Sequence, residues 1–212
     1  MRALLLSLFL IACLPALPSI AQTQADIAAE AKIYGVLPLA WDVHLSPDGN
    51  SLSLIAGIKG RQTFAIWHLD ERPPTTLSTG TLEPSQLVWK GSDKLLASVY
   101  FTDSKNFMSV AAVTRLLTLN ADGSGHRLVD FSDVTGWWGA ASGQFQDNIL
   151  SILPRDSQRV LLYGSSLHSN LVTVDVKAGT AKPFDLEGFY AYGWLVDSEG
   201  VVRLGEKTEY GA

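Results

Sequence analysis

Short apolar runs alternate with polar turns along this chain, and each unit opens with the turn. Ser46-Pro47-Asp48-Gly49, Lys90-Gly91-Ser92-Asp93, Pro154-Arg155-Asp156-Ser157 and Val196-Asp197-Ser198-Glu199-Gly200 precede the runs Leu52–Ala56, Lys94–Phe101, Arg159–Gly164 and Val201–Gly205. Runs this short, bounded by turn residues, read as β-strands rather than helices. The first three units each carry a second strand, and these superimpose position by position: Ile66–Asp70, Leu116–Asn120 and Leu171–Asp175. Each reads apolar, apolar, His or Thr, apolar, Asp or Asn. The copies lie 50 and 55 residues apart, close to the length of one four-stranded propeller blade with loop insertions. The pattern predicts an all-β fold, an incomplete β-propeller of about three and a half blades of antiparallel strands.

The remaining elements follow the same logic. Asp42–Leu45 alternates as a strand with one buried face should, and Asp48-Gly49 marks a tight hairpin. Pro73-Pro74 sets off an outer strand at Thr75–Ser78, Gln86–Trp89 opens the second unit, and His126–Phe131 follows the turn Asp122-Gly123-Ser124-Gly125. Ala178-Gly179 turns the third unit, and Tyr190–Leu195 opens a fourth. Blades are predicted over residues 41–80, 85–132, 147–187 and, incomplete, 190–212. The alanine-rich stretch Gln22–Lys32 predicts a short helix leading into the domain at residue 34, broken by Tyr34-Gly35-Val36-Leu37-Pro38.

The start of the chain carries a different signal. Arg2, the apolar segment Ala3–Leu14 and the triplet Ser19-Ile20-Ala21 have the order of a secretory signal peptide, with cleavage after Ala21. The apolar run is too short and too proline-broken for a membrane span. Leu10-Ile11-Ala12-Cys13 offers the lesser alternative of a lipoprotein whose Cys13 is modified. The expected location is therefore periplasmic or secreted. Cys13 is the only cysteine, so cleavage at Ala21 leaves neither disulfides nor thiol chemistry. Losing Arg2 takes the net charge from −5 to −6, which disfavours nucleic acid or an anionic membrane as partner. A hydrophobic fraction of 47% with 17% charged residues supports a packed body.

Candidate chemistry is sparse. His44 and His68 read as strand-surface or edge residues, and His126 as solvated. His168 stands beside Ser165, Ser166 and Ser169, but triads bring residues together from separate loops rather than from neighbouring positions. Asp122–Gly125 is polar and tight, yet has too few oxygens for calcium, so a plain turn is predicted. Asp70-Glu71 and Asp185 with Glu187 read as solvated loops. Trp137-Trp138 reads as packing between blades, and Trp41, Trp67, Trp89 and Trp194 as core. No residue is assigned a catalytic, cofactor-binding or metal-binding role.

Several segments nevertheless resemble one family. They are Tyr34-Gly35-x-Leu37-Pro38, Val43-x-Leu45-Ser46-Pro47-Asp48-Gly49, Leu69-Asp70, Leu119-Asn120-Ala121-Asp122-Gly123, Val174-Asp175-x-x-x-Gly179 and Gly193-Trp194-Leu195-x-Asp197-x-Glu199-Gly200-x-Val202-Arg203-Leu204-Gly205. In this order they are similar to the N-terminal propeller of secreted serine peptidases of the prolyl-oligopeptidase family, near the dipeptidyl-peptidase-IV and acylaminoacyl-peptidase branches. The resemblance implies a noncatalytic propeller segment that gates and selects short peptides for an α/β-hydrolase domain. That family's propeller has seven or eight blades, and its hydrolase domain carries Ser, Asp and His. The nucleophile elbow Gly-x-Ser-x-Gly is absent here; Gly164-Ser165-Ser166-Leu167 lacks the second glycine. The expected partners are a separate hydrolase domain or another protein, with peptides in a complete peptidase, and the chain reads as a truncated or split gene product. Ser-Pro-Asp-Gly also occurs in Tol-type periplasmic propellers, so a module binding a protein partner is the alternative. An unclosed ring predicts an exposed apolar flank near Leu54 and Ile66, an open edge at Val201–Leu204, and self-association.

Overall fold

The structure, a computed structural model, describes residues 24–35, 38–104, 110–134, 144–164, 171–184, 191 and 193–206. The signal segment, Trp137-Trp138, His168 and its serines, and Asp185 with Glu187 lie outside them. Helix α1 (Gln24–Tyr34) has Asp26 in its first turn and Lys32 in its last, each favourable to the helix dipole, and Gly35 follows it. The helix ends at Tyr34, two residues beyond the predicted Lys32. The helix and the strands belong to separate compact units that divide between residues 36 and 37.

The strands form three four-stranded antiparallel sheets and one two-stranded sheet, each in strict chain order. Sheet 1 holds β1 (Ala40–Leu45), β2 (Ser51–Ile58), β3 (Arg61–His68) and β4 (Thr75–Leu77). Sheet 2 holds β5 (Glu83–Lys90), β6 (Lys94–Asp103), β7 (Ala111–Asn120) and β8 (Arg127–Leu128). Sheet 3 holds β9 (Ile149–Ser151), β10 (Arg159–Tyr163), β11 (Leu171–Asp175) and β12 (Thr180–Pro183). A hairpin of β13 (Gly193–Val196) and β14 (Val202–Glu206) follows. The all-β expectation and the four-fold recurrence therefore hold. The fourth strand of sheet 2 is shorter than the predicted His126–Phe131: the Val129 N–H still bonds the Leu116 carbonyl of β7, and beyond it the chain turns to sheet 3. Asp130 instead exchanges backbone hydrogen bonds with Gly179 and Ala181, which joins sheet 2 to sheet 3.

Aspartates set the turns. Asp48, Asp122, Asp156, Asp175 and Asp197 each accept the backbone N–H two residues on, the Asx geometry that closes a tight loop. Gly49 supplies the positive φ of 76° that the first turn requires. At Asp48, Asp122, Asp156 and Asp197 these bonds favour the carboxylate form. The Ser46 hydroxyl holds Asp48 below the ordinary 3.8, the Arg72 guanidinium holds Asp70 there, the Ser124 hydroxyl Asp122, and the Val201 N–H Asp197. Since the folded value lies below the unfolded one, this stabilisation is present above about pH 4 and is lost as pH falls through the depressed values. Thermal melts should be level between about pH 7 and 5 and decline below about pH 4. A melting temperature unchanged down to about pH 2.5 would contradict it.

Strand alternation makes two cores. Leu95, Ala97 and Val99 of β6 pack with Ile55, Phe64 and Ile66 of sheet 1, and with Leu87 and Trp89. Leu96 and Leu116, on the opposite face of sheet 2, pack with Val160, Leu162, Val172 and Val174 of sheet 3. Sheet 2 is thus covered on both faces, which is why its strands read as near-continuous apolar text. Two expectations need correction. Leu54 and Ile66 are not exposed but 7% and 0% accessible, Ile66 because its face of β3 is turned to sheet 2. Trp67 is not core: it is 55% exposed, on the face turned away from sheet 2, while Trp89 is buried and Trp41 packs against the first core. At the other end Val201 and Leu204 are exposed as predicted, and among the described residues β14 pairs only with β13.

Candidate functional site

The described histidines form no reactive centre. His44 is exposed, with Nε2 2.8 Å from Asp42 Oδ1, and His126 is exposed as expected. His68 departs from its expected surface position. It shares the buried face of β3 with Ile66, and its Nδ1 lies 3.1 Å from Ser51 Oγ, directly across the strand pair. A serine beside an imidazole is half of a hydrolytic arrangement. Here both groups are sealed in the sheet, so the serine has no room for a substrate carbonyl. Asp70 pairs with exposed Arg72, and Asp122–Gly125 is a turn closed by Asp122 on the Ser124 N–H, as predicted for both. No cluster of His, Cys, Asp and Glu able to hold a metal ion occurs among the described residues.

What the sequence did not reveal is a series of polar links between sheets. The first is built on β1, where a bulge between Trp41 and His44 puts Asp42 at a φ of 51°. Asp42 Oδ2 accepts the Leu87 N–H at 2.7 Å, and the Trp89 indole donates to the His44 carbonyl at 3.1 Å. Ser53 Oγ donates to the Leu87 carbonyl beside them. Aspartate tolerates the left-handed region better than most residues, so one side chain serves both the bend and the link. Asp42→Gly keeps the left-handed backbone accessible and removes the Leu87 acceptor together with the exposed His44 contact. It is expected to cost about 1 kcal/mol in urea unfolding; an unchanged midpoint would show that the link carries no weight.

The second link is Lys90. It is buried, and its Nζ donates to the carbonyls of Ile152 and of Leu153, the latter at 2.9 Å. Burial pushes this ammonium below the ordinary lysine value, with Asp156 opposing the shift. The third link centres on Asp147, whose two oxygens accept Ser98 Oγ and Thr114 Oγ1, both at 2.6 Å. The Gln146 N–H donates to the same threonine hydroxyl, while Gln146 Oε1, also buried, has no hydrogen-bond partner among the described residues.

Among the described residues, a groove of about 240 Å³ lies between sheet 3 and the last hairpin. Leu153, Thr173 and Phe184 line it, and Arg155, Asp156, Arg159 and Glu199 form its charged rim. Each guanidinium is already paired, Arg155 with Glu199 and Arg159 with Asp156 at 2.6 Å. Such exposed pairs are worth about 0.2–1 kcal/mol each, so an incoming charged group can replace one at little cost. No protein-family model matches the chain, and a search of curated proteins found no match.

None of the described helices is long and apolar enough to cross a membrane.

Proposed function

We propose that the chain is the noncatalytic β-propeller segment of a secreted serine-peptidase-like protein, with each four-stranded sheet serving as one blade. In the peptidases it resembles, this part stands over the α/β-hydrolase domain and admits short peptides. The observation that carries the reading is the stacking of three consecutive four-stranded meanders in chain order, each built from the same turn, run and second strand. Propellers are made by such repetition of four-stranded sheets. The noncatalytic role rests on the chemistry of the described residues, in which the buried Ser51–His68 pair is the nearest approach to a hydrolytic arrangement.

Two measurements test the proposal. Chromogenic dipeptides and short-acyl esters should give no turnover with the chain alone; turnover abolished by replacing Ser165 or Ser166 would overturn the noncatalytic reading. Pull-down from exported proteins of the source cell should recover a protein carrying Gly-x-Ser-x-Gly and a later histidine. Recovery of an unrelated partner instead would favour the periplasmic binding module.

A further inference from the structure

Register places three apolar side chains in a row across each sheet, on equivalent strands. In sheet 2 the row is Leu87–Ala97–Leu117, and in sheet 3 it is Ile149–Leu162–Val172. Both rows lie in sheet-to-sheet junctions: the first meets Ile55, Phe64 and Ile66 of sheet 1, and the second meets Leu96 and Leu116 of sheet 2. The corresponding row in sheet 1 is Leu45–Leu52–Trp67. Leu45 and Trp67 are exposed, Leu52 is half-buried, and Leu69, exposed just past β3, extends the patch. Leu54 and Ala65, next along the same face, are buried, so the opening is confined to the end near the Asp48 and Asp70 turns.

A small sheet face would suffice to cover a patch of that extent. The hairpin carries one: Leu195 and Leu204 are direct cross-strand partners, 59% and 65% exposed. Among the described residues it is the one registered pair in which both members are exposed large apolar side chains. Adjacent exposed apolar side chains of this kind mark association surfaces.

We propose that the patch Leu45–Leu52–Trp67 of one copy is a docking site for the Leu195–Leu204 face of the hairpin of a second copy. The contact repeats in kind the junctions already present between sheets 1, 2 and 3. It rests on that stacking and not on the peptidase reading. The contact is heterologous, joining two different surfaces, so copies close into a ring when the rotation permits and otherwise extend.

Sedimentation of the full chain over a range of concentrations tests this. The wild type should associate reversibly. Trp67→Lys and Leu204→Glu should each weaken association by at least about tenfold, since each places a charge in an apolar contact. Mixing the two variants should restore pairwise association, because the intact hairpin of the Trp67→Lys variant then meets the intact patch of the Leu204→Glu variant. Circular dichroism melts check that both variants fold; where Trp67→Lys melts early, Leu45→Lys replaces it. A monomeric wild type at every concentration, association indifferent to both substitutions, or failure of the mixture to reassociate would each overturn the proposal.

Discussion

Leu116→Ala is expected to lower stability by about 2–5 kcal/mol, the usual cost of removing a fully buried leucine where the surroundings collapse only partly. Leu116 is 0% exposed and lies in the core that joins sheets 2 and 3, with Leu96 beside it and Val160, Leu162, Val172 and Val174 opposite. Three of those neighbours are β-branched valines, whose stiff χ1 angles leave little freedom to swing into the space. The cost should therefore fall in the upper part of that range. Against a total stability of about 5–15 kcal/mol this is a large fraction. Thermal melting should show a drop of about 5–15 °C for a unit of this size. A fall of under about 2 °C would mean that the two sheets are not held by this core.

That core explains how much of the fold could be read from the text. Turns were legible because their chemistry is local: Asp48 and Gly49 form their bend with residues two or three positions away, whatever the rest of the chain does. Strand β11 was placed at its observed bounds for the same reason, lying between polar text and the Ala178-Gly179 turn. Which face of a strand is buried was less legible where both faces carry apolar residues. In β3 the alternation Phe64, Ile66, His68 against Ala65, Trp67 leaves two faces of similar hydrophobicity, and only the position of sheet 2 decides between them. Trp67 and His68 were accordingly assigned to each other's environments.

The links between sheets were illegible for a different reason. Asp42 reaches Leu87 across 45 positions, Ser98 reaches Asp147 across 49, and Lys90 reaches the Ile152 carbonyl across 62. No local spacing announces such a contact. Each of these side chains would be unremarked on a surface, and burial alone makes it consequential. The closest textual hint was the lysine that ends an otherwise apolar strand, Leu87-Val88-Trp89-Lys90, just before the Gly91-Ser92-Asp93 turn. A lysine there reads as the polar edge of a strand, whereas its ammonium is carried inward to two carbonyls.

Lys90→Met is expected to destabilise the protein by about 2 kcal/mol. The thioether keeps most of the buried aliphatic volume but leaves the Ile152 and Leu153 carbonyls without their donor. An orphaned buried acceptor costs about 1–3 kcal/mol, and part of that is offset because an ammonium need no longer be taken out of water. Leu153 is also held at a positive φ of 48°, unusual for a bulky side chain, so losing its anchor should loosen the turn after β9. The pH dependence separates the charge from the packing. Burial holds the folded Lys90 below its ordinary value of 10.5. Between the depressed value and 10.5 the unfolded chain therefore binds the proton more readily than the folded one. In that window wild-type stability rises with pH, and methionine has no proton to lose. The gap in melting temperature between the two proteins should widen as pH rises through the depressed value towards about 10.5. A gap that stays constant or narrows would show that Lys90 is not buried as a charged donor, and that the link between sheets 2 and 3 depends on its aliphatic stem alone.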